Sequence, residues 1–85
     1  MNVYVVTVDA CDDYETPERI GIVGSPERGR ELCDTRARES QSESYEVSPP
    51  QWKGNQGTSK VRYKYNGLWH TTYEHYEIEE VEVLS

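Results

Sequence analysis

Asn66-Gly67, set between two runs of strand-forming residues, constrains this chain more than any other feature. Both central positions of a type I′ turn need positive φ, and Asn-Gly adopts it at least cost, so the pair predicts a two-residue β-hairpin. The run before it, Lys60-Val-Arg-Tyr-Lys-Tyr65, alternates without a fault. A two-residue turn then places Tyr65 opposite Leu68, Lys64 opposite Trp69, Tyr63 opposite His70, Arg62 opposite Thr71, Val61 opposite Thr72 and Lys60 opposite Tyr73. Side chains opposite one another share a face. One face holds Val61, Tyr63, Tyr65, Leu68, His70 and Thr72 and is expected to face inward. The other sets Lys60, Arg62 and Lys64 beside Trp69 and Tyr73, a composition suited to cation–π contact.

Upstream of the hairpin the chain reads as a ββα unit over residues 2–40. Residues 2–9 are β-branched and aromatic, and Ile20-Gly-Ile-Val23 is a second short strand. The segment between them is too short for a crossover helix, so the two strands pair as antiparallel neighbours. Ser25-Pro26 opens a helix, with Ser25 as N-cap and Pro26 at the first helical position. At helical spacing Gly29, Leu32, Cys33 and Ala37 form one face, mostly small, which predicts close approach to a sheet. Residues 41–59 read as an irregular Pro-, Gly- and Ser-rich connection, with a short strand available at Tyr45–Val47 and Trp52 expected to fold down over the sheet. After Tyr73 the apolar parity changes, from Tyr76 and Ile78 to Val81 and Val83. A bulge near Glu79-Glu80 and a corner between Thr72 and His75 are expected to reconcile the two.

The expected architecture is α+β: one domain over 1–85, a small antiparallel sheet with one helix on a face, closed by the hairpin and a C-terminal strand over 60–85. A chain of 85 residues with 34% hydrophobic content has a thin core and little room for a deep pocket. Its aromatics are seven Tyr and two Trp with no Phe, side chains that pair an apolar body with a polar tip.

The formal net charge of −7 weighs against direct nucleic-acid binding, which phosphate neutralisation drives. It permits a basic partner, or a protein that mimics nucleic acid. The chain starts at Met1 directly in a strand, with no basic leader and no apolar run long enough to span a bilayer, so a cytoplasmic location is expected. In a reducing compartment Cys11 and Cys33 are expected as free thiols.

No catalytic set assembles. Gly24-Ser-Pro-Glu-Arg-Gly29 resembles a phosphate loop in spacing, but Arg30 and Glu31 stand where such a loop has Lys and Ser or Thr. His70 and His75, five apart on extended chain, point to opposite faces and do not share a metal. A Cys33–His70 nucleophile pair has no third, orienting group. Asp9, Asp12, Asp13 and Glu15 lack the ligand spacing of a calcium loop. The acids of the run from Glu74 to Glu82 read as the solvent side of a strand, or as an acidic stripe for a basic partner. No cofactor and no metal are expected.

Three pieces of the chain, Val3-Tyr-Val-Val6, Arg19-Ile-Gly-Ile-Val-Gly-Ser-Pro-Glu-Arg28 and Tyr76-Glu-Ile-Glu-Glu-Val-Glu-Val83, together resemble a group of short uncharacterised proteins of bacteriophages and bacteria. The resemblance implies a ββαβ core and a phage origin. It brings no activity, and it leaves the hairpin and the Pro-rich connection as an insertion. The expected function is a non-enzymatic protein-interaction module, a phage accessory protein that modulates a host protein. Its contact residues are Trp69, Tyr73, Arg62, Lys64 and Lys60, with Trp52 added. The alternatives are an acidic nucleic-acid mimic acting through the C-terminal glutamates and a small-ligand binder or small enzyme. A last strand this long can also join copies across a two-fold axis.

Overall fold

The computed structural model describes residues 1–10 and 17–84. Expectations for Cys11, Asp12, Asp13 and Glu15, including any Cys11–Cys33 disulfide, lie outside the described residues. The elements are β1 (Asn2–Ala10), β2 (Glu18–Val23), α1 (Pro26–Glu39), β3 (Tyr45–Val47), β4 (Gln51–Lys53), β5 (Gln56–Tyr65) and β6 (Leu68–Glu82). They form one antiparallel sheet in the order β2-β1-β6-β5-β3, with β4 also paired to β5. The fold is α+β, as expected, though dominated by strand.

The Asn66-Gly67 turn takes the predicted form, with φ of 53° and 76° at its two residues. All six predicted hairpin pairs occur in the predicted register. The hairpin is longer than the alternation from Lys60 shows, because β5 begins at Gln56 and pairs on to Glu77. Residues 41–59 are correspondingly less irregular than expected. Tyr45–Val47 is a strand on β5, and Gln51–Lys53 turns back through Gly54-Asn55 onto Gln56. Gly54, at φ 63°, supplies the left-handed position of that turn. Gly-Asn is itself a hairpin signal.

Strand β6 runs through both expected irregularities. No corner forms near Thr72, because β5 pairs β6 from Leu68 to Glu77 while β1 takes over from Glu74 to Glu82. No bulge forms at Glu79-Glu80 either: the β1–β6 ladder keeps one register from Ala10–Glu74 to Asn2–Glu82. The irregularity falls instead on the β1–β2 pair, where the register shifts between Val6 and Thr7. Val81 therefore sits on the open face of the sheet opposite Val3. At about 3.4 Å per residue, fifteen residues of β6 account for nearly all of the molecule's 53 Å long axis.

Helix α1 packs where the small residues predicted. Ser25 Oγ accepts the Arg28 N–H at 3.3 Å, and Gly29, Cys33 and Ala37 are buried. A Cβ on Gly29 would lie 2.9 Å from Ile78 Cδ1 and 3.2 Å from Val6 Cγ2, so the helix backbone rests almost directly on the sheet. Val6, Val8, Cys33, Tyr76 and Ile78 form the main core, and Ala37, Val47 and Val61 a second cluster under the helix C-terminus.

Trp52 folds down onto Gly57, its cross-strand partner. A Cβ at Gly57 would lie 2.8 Å from the indole ring. Gly57→Ala is expected to lift the ring and cost about 1–3 kcal/mol, as overpacking does, read as a lower urea midpoint. Gly24→Ala, where a Cβ meets nothing within 4 Å, is expected to leave the midpoint unchanged.

Candidate functional site

Beyond the helix the hairpin continues as an arm. Strand β1 stops at Ala10, opposite Glu74, and α1 stops at Glu39. Among the described residues no strand pairs with β6 residues 68–73 on the side away from β5. This corrects the expected inner face. Val61 is buried, but Tyr65 and Leu68 are 64% and 66% exposed, because the helix does not reach them. His70 stays on the arm and stacks against Tyr63 at 5.3 Å between ring centroids.

The opposite face carries the sequence-predicted contact residues. The register brings Lys60 beside Tyr73, Arg62 beside Thr71 and Lys64 beside Trp69. The Arg62 guanidinium lies over the Trp69 ring, 5.0 Å from its centroid, a contact worth about 0.5–1 kcal/mol at an exposed site. Arg62 also meets Glu46 of β3 at 3.4 Å, with both side chains about half exposed, so this ion pair contributes little to stability. Trp69 and Tyr73 are exposed. Five of the six predicted residues thus form one patch. Trp52 does not join it, because pairing with Gly57 puts its ring on the helix side of the sheet, 6.1 Å from Tyr76 and under the Arg30 guanidinium.

At the root of the arm lies a buried carboxylate, Glu74, at a position expected on the solvent side of the strand. Glu74 is 6% exposed and accepts three charged or polar contacts: Arg36 Nη1 at 2.9 Å, Tyr45 OH at 3.1 Å and Tyr76 OH at 3.1 Å. The signal was available. Glu74 shares the parity of Tyr76 and Ile78, and the hairpin register sets it opposite Ser59 on the inner face. Arg36, in the last turn of α1, is the counter-ion.

The remaining acids of the run divide. Glu77 and Glu79 lie on the open face, level with Thr7 and Val5, whereas Glu80 lies on the helix side, where it accepts from Asn2 and Tyr4. They do not make one continuous stripe. The Cys33–His70 pair is not assembled: Cys33 is fully buried against Val6, Val8, Tyr76 and Ile78, and His70 is on the exposed arm. Burial pushes the Cys33 thiol up to about 12, which leaves it protonated and unreactive at neutral pH. Among the described residues no three His, Cys, Asp or Glu side chains converge as metal ligands, and no helix is long and apolar enough to cross a membrane. Comparison with protein-family models, curated proteins and solved structures gives no match.

Burial, with Glu74 beside it, pushes the Tyr45 hydroxyl up to about 12, and burial raises Tyr76 as well. These groups hold their protons more tightly folded than unfolded. Their contribution to stability is therefore complete below the unfolded values, 9.0 for Cys33 and 10.0 for Tyr45, and is lost as pH rises toward 12. Urea midpoints measured against pH are expected to fall from about pH 9 upward. Tyr45→Phe is expected to make the fall above pH 10 shallower.

Proposed function

We propose that this protein is a non-enzymatic interaction module that docks a protein partner through the open face of its hairpin arm. The observation that carries this reading is the arm itself, a projecting part of the sheet with β3 along its β5 edge and with Trp69 and Tyr73 exposed beside three cations. Aromatic residues and arginine are the side chains most enriched at binding hot spots. A rigid Trp held by a guanidinium loses little conformational freedom on binding, and the cations favour a partner with an acidic surface. In the form implied by the resemblance to phage proteins, the partner is a host protein that the module modulates.

The acidic-mimic reading has less to stand on, because the glutamates of β6 are split between two faces and Glu74 is buried. A catalytic reading would need Cys33 and His70 in reach of each other.

The test is capture from bacterial lysate on the immobilised protein, with bound proteins identified by mass spectrometry. The Trp69→Ala, Arg62→Ala double variant is expected to lose a specifically retained protein by at least about tenfold, as removal of a hot spot does. Arg28→Ala, on the exposed side of α1, is expected to retain it. Full retention by the double variant would sink the reading.

A further inference from the structure

Strand β6 has an open edge on the arm, and its hydrogen-bond register says which backbone groups that edge presents. The Ile78 N–H donates to Asn55 O at 2.9 Å, on the β5 side, and the Val83 N–H donates to Met1 O at 2.8 Å, on the β1 side. Even residues of β6 therefore bond toward β5 and odd residues toward β1. Strand β1 ends at Ala10, opposite Glu74. The N–H and C=O groups of Trp69, Thr71 and Tyr73 thus point away from β5 with no strand to meet them among the described residues. The other edges of the sheet are blunted. Strand β2 carries Glu18 and Arg19 beside the register shift at Val6 and Thr7. Strand β3 is three residues with Glu46 at its centre and Pro49-Pro50 beyond it, and β4 is three residues ending in Lys53. Leu68-Trp-His-Thr-Thr-Tyr73 has no Asp, Glu, Lys, Arg or Pro and no bulge, and those are the devices that keep natural edges from pairing.

We propose that this edge takes one added β-strand, an extended segment of a partner protein in which acidic and apolar residues alternate. The proposal rests on the arm being a docking surface and names what docks there. Main-chain hydrogen bonds to Trp69, Thr71 and Tyr73 hold such a strand, and its side-chain neighbours select it. On the open face those neighbours are Trp69, Thr71 and Tyr73, with Lys60, Arg62 and Lys64 one strand further on. Arg62 is engaged by Glu46, but Lys60 and Lys64 make no ion pair among the described residues. Two strand spacings, about 9.6 Å, separate β5 from the added strand. An extended lysine and a carboxylate close that gap between them over the small Thr71 side chain. On the helix side the neighbours are Leu68, His70 and Thr72, with Leu68 and His70 exposed, and these suit apolar residues.

A second copy of the chain does not fit this edge. Bonding all three open residues antiparallel sets Thr71 on Thr71 and puts the copy's Leu68 opposite Glu74, the place that Ala10 holds. A parallel copy runs its own β6 straight into β1. A single segment avoids both, because it can end level with Tyr73. A basic segment meets cations of its own sign, and like charges oppose it. About six paired residues make a small contact beside the roughly 20–30 per side of a standard interface, so the affinity lies in the micromolar range and falls with salt.

Selection of a phage-displayed library of random decapeptides on the immobilised full chain is the test. Enriched peptides are expected to alternate Asp or Glu with Val, Ile, Tyr or Thr. The strongest of them, made synthetically, is expected to protect the amides of Trp69, Thr71 and Tyr73 in hydrogen-exchange NMR. N-methylation of its alternate residues separates an added strand from any other contact. One set of positions is expected to cost about tenfold or more in affinity and the other set little, because only every second N–H of a strand faces a given neighbour. Thr71→Pro removes one outward N–H at an edge, where proline is admitted, and is expected to weaken binding about tenfold in a chain that circular dichroism shows to be folded. Lys60→Glu with Lys64→Glu is expected to weaken it by as much. A library that enriches nothing over a surface without protein overturns the inference. So does a peptide that both N-methylated sets leave equally tight, or one that leaves those three amides exchanging as before. If the inference fails in one of these ways while the Trp69→Ala, Arg62→Ala variant still loses its captured lysate protein, strand addition falls and the docking reading stands.

Discussion

The structure depends on β6 being paired along its whole length by two different neighbours in succession. Its first ten residues are held by β5 and its last nine by β1, with Glu74 to Glu77 held on both sides. That overlap is the centre of the sheet, and it is the stretch on which α1 rests. An isolated two-stranded hairpin is marginal in water, and three or more strands with an apolar face are needed for independent stability. The arm is therefore ordered by what lies below it: β5 and β6 leave the core already in register, and the tight Asn66-Gly67 turn closes the far end.

The Glu74 cluster sits where core passes into arm, and it joins every layer of the fold. Arg36 comes from the helix, Tyr45 from β3, and Tyr76 from the core face of β6. A buried ion pair adds little net stability over a well-packed apolar alternative, but removing one partner leaves a charge uncompensated, at a cost of about 3–5 kcal/mol when burial is deep. The partial exposure of Arg36 reduces that figure here. What the cluster contributes is register. Only one placement of α1 over the sheet brings Arg36 to Glu74 while Gly29 lies on Ile78, and the two tyrosine hydroxyls satisfy the lone pairs that Arg36 leaves.

Local features were legible in the sequence, and features set by long-range pairing were not. Asn66-Gly67, the hairpin register, Ser25 as N-cap and the small helix face around Cys33 all follow from chemistry within a few residues. The same register sets Lys60, Arg62, Lys64, Trp69 and Tyr73 on one face. The bulge expected at Glu79-Glu80 is absent because the valines of β6 do not all face the helix. Val81 instead meets Val3 across the open face, a neighbour seventy-eight residues away in the chain. The expected burial of Tyr65 and Leu68 failed for a related reason: alternation shows which side chains share a face, while helix length decides which stretch of that face is covered. Trp52 lies over the sheet as its apolar bulk predicts, but its specific seat depends on Gly57, which lies in the connection expected to be irregular.

An arm rich in Tyr, Trp and Thr whose β6 edge is left open at residues 68–73 is an aggregation hazard, and charged side chains on such an element are a common defence. Here all the charges on residues 60–73 are positive. Mixed signs would protect the arm from water-poor stacking but would let two arms pair through matched charges. A single sign makes arm-to-arm association unfavourable, and the excess of acids elsewhere keeps the net charge far from zero, which favours solubility. Glu46 of β3 lies beside Arg62 on the same face and offsets part of that positive charge. Charge patterning of this kind acts on the rate and specificity of encounters more than on the fold.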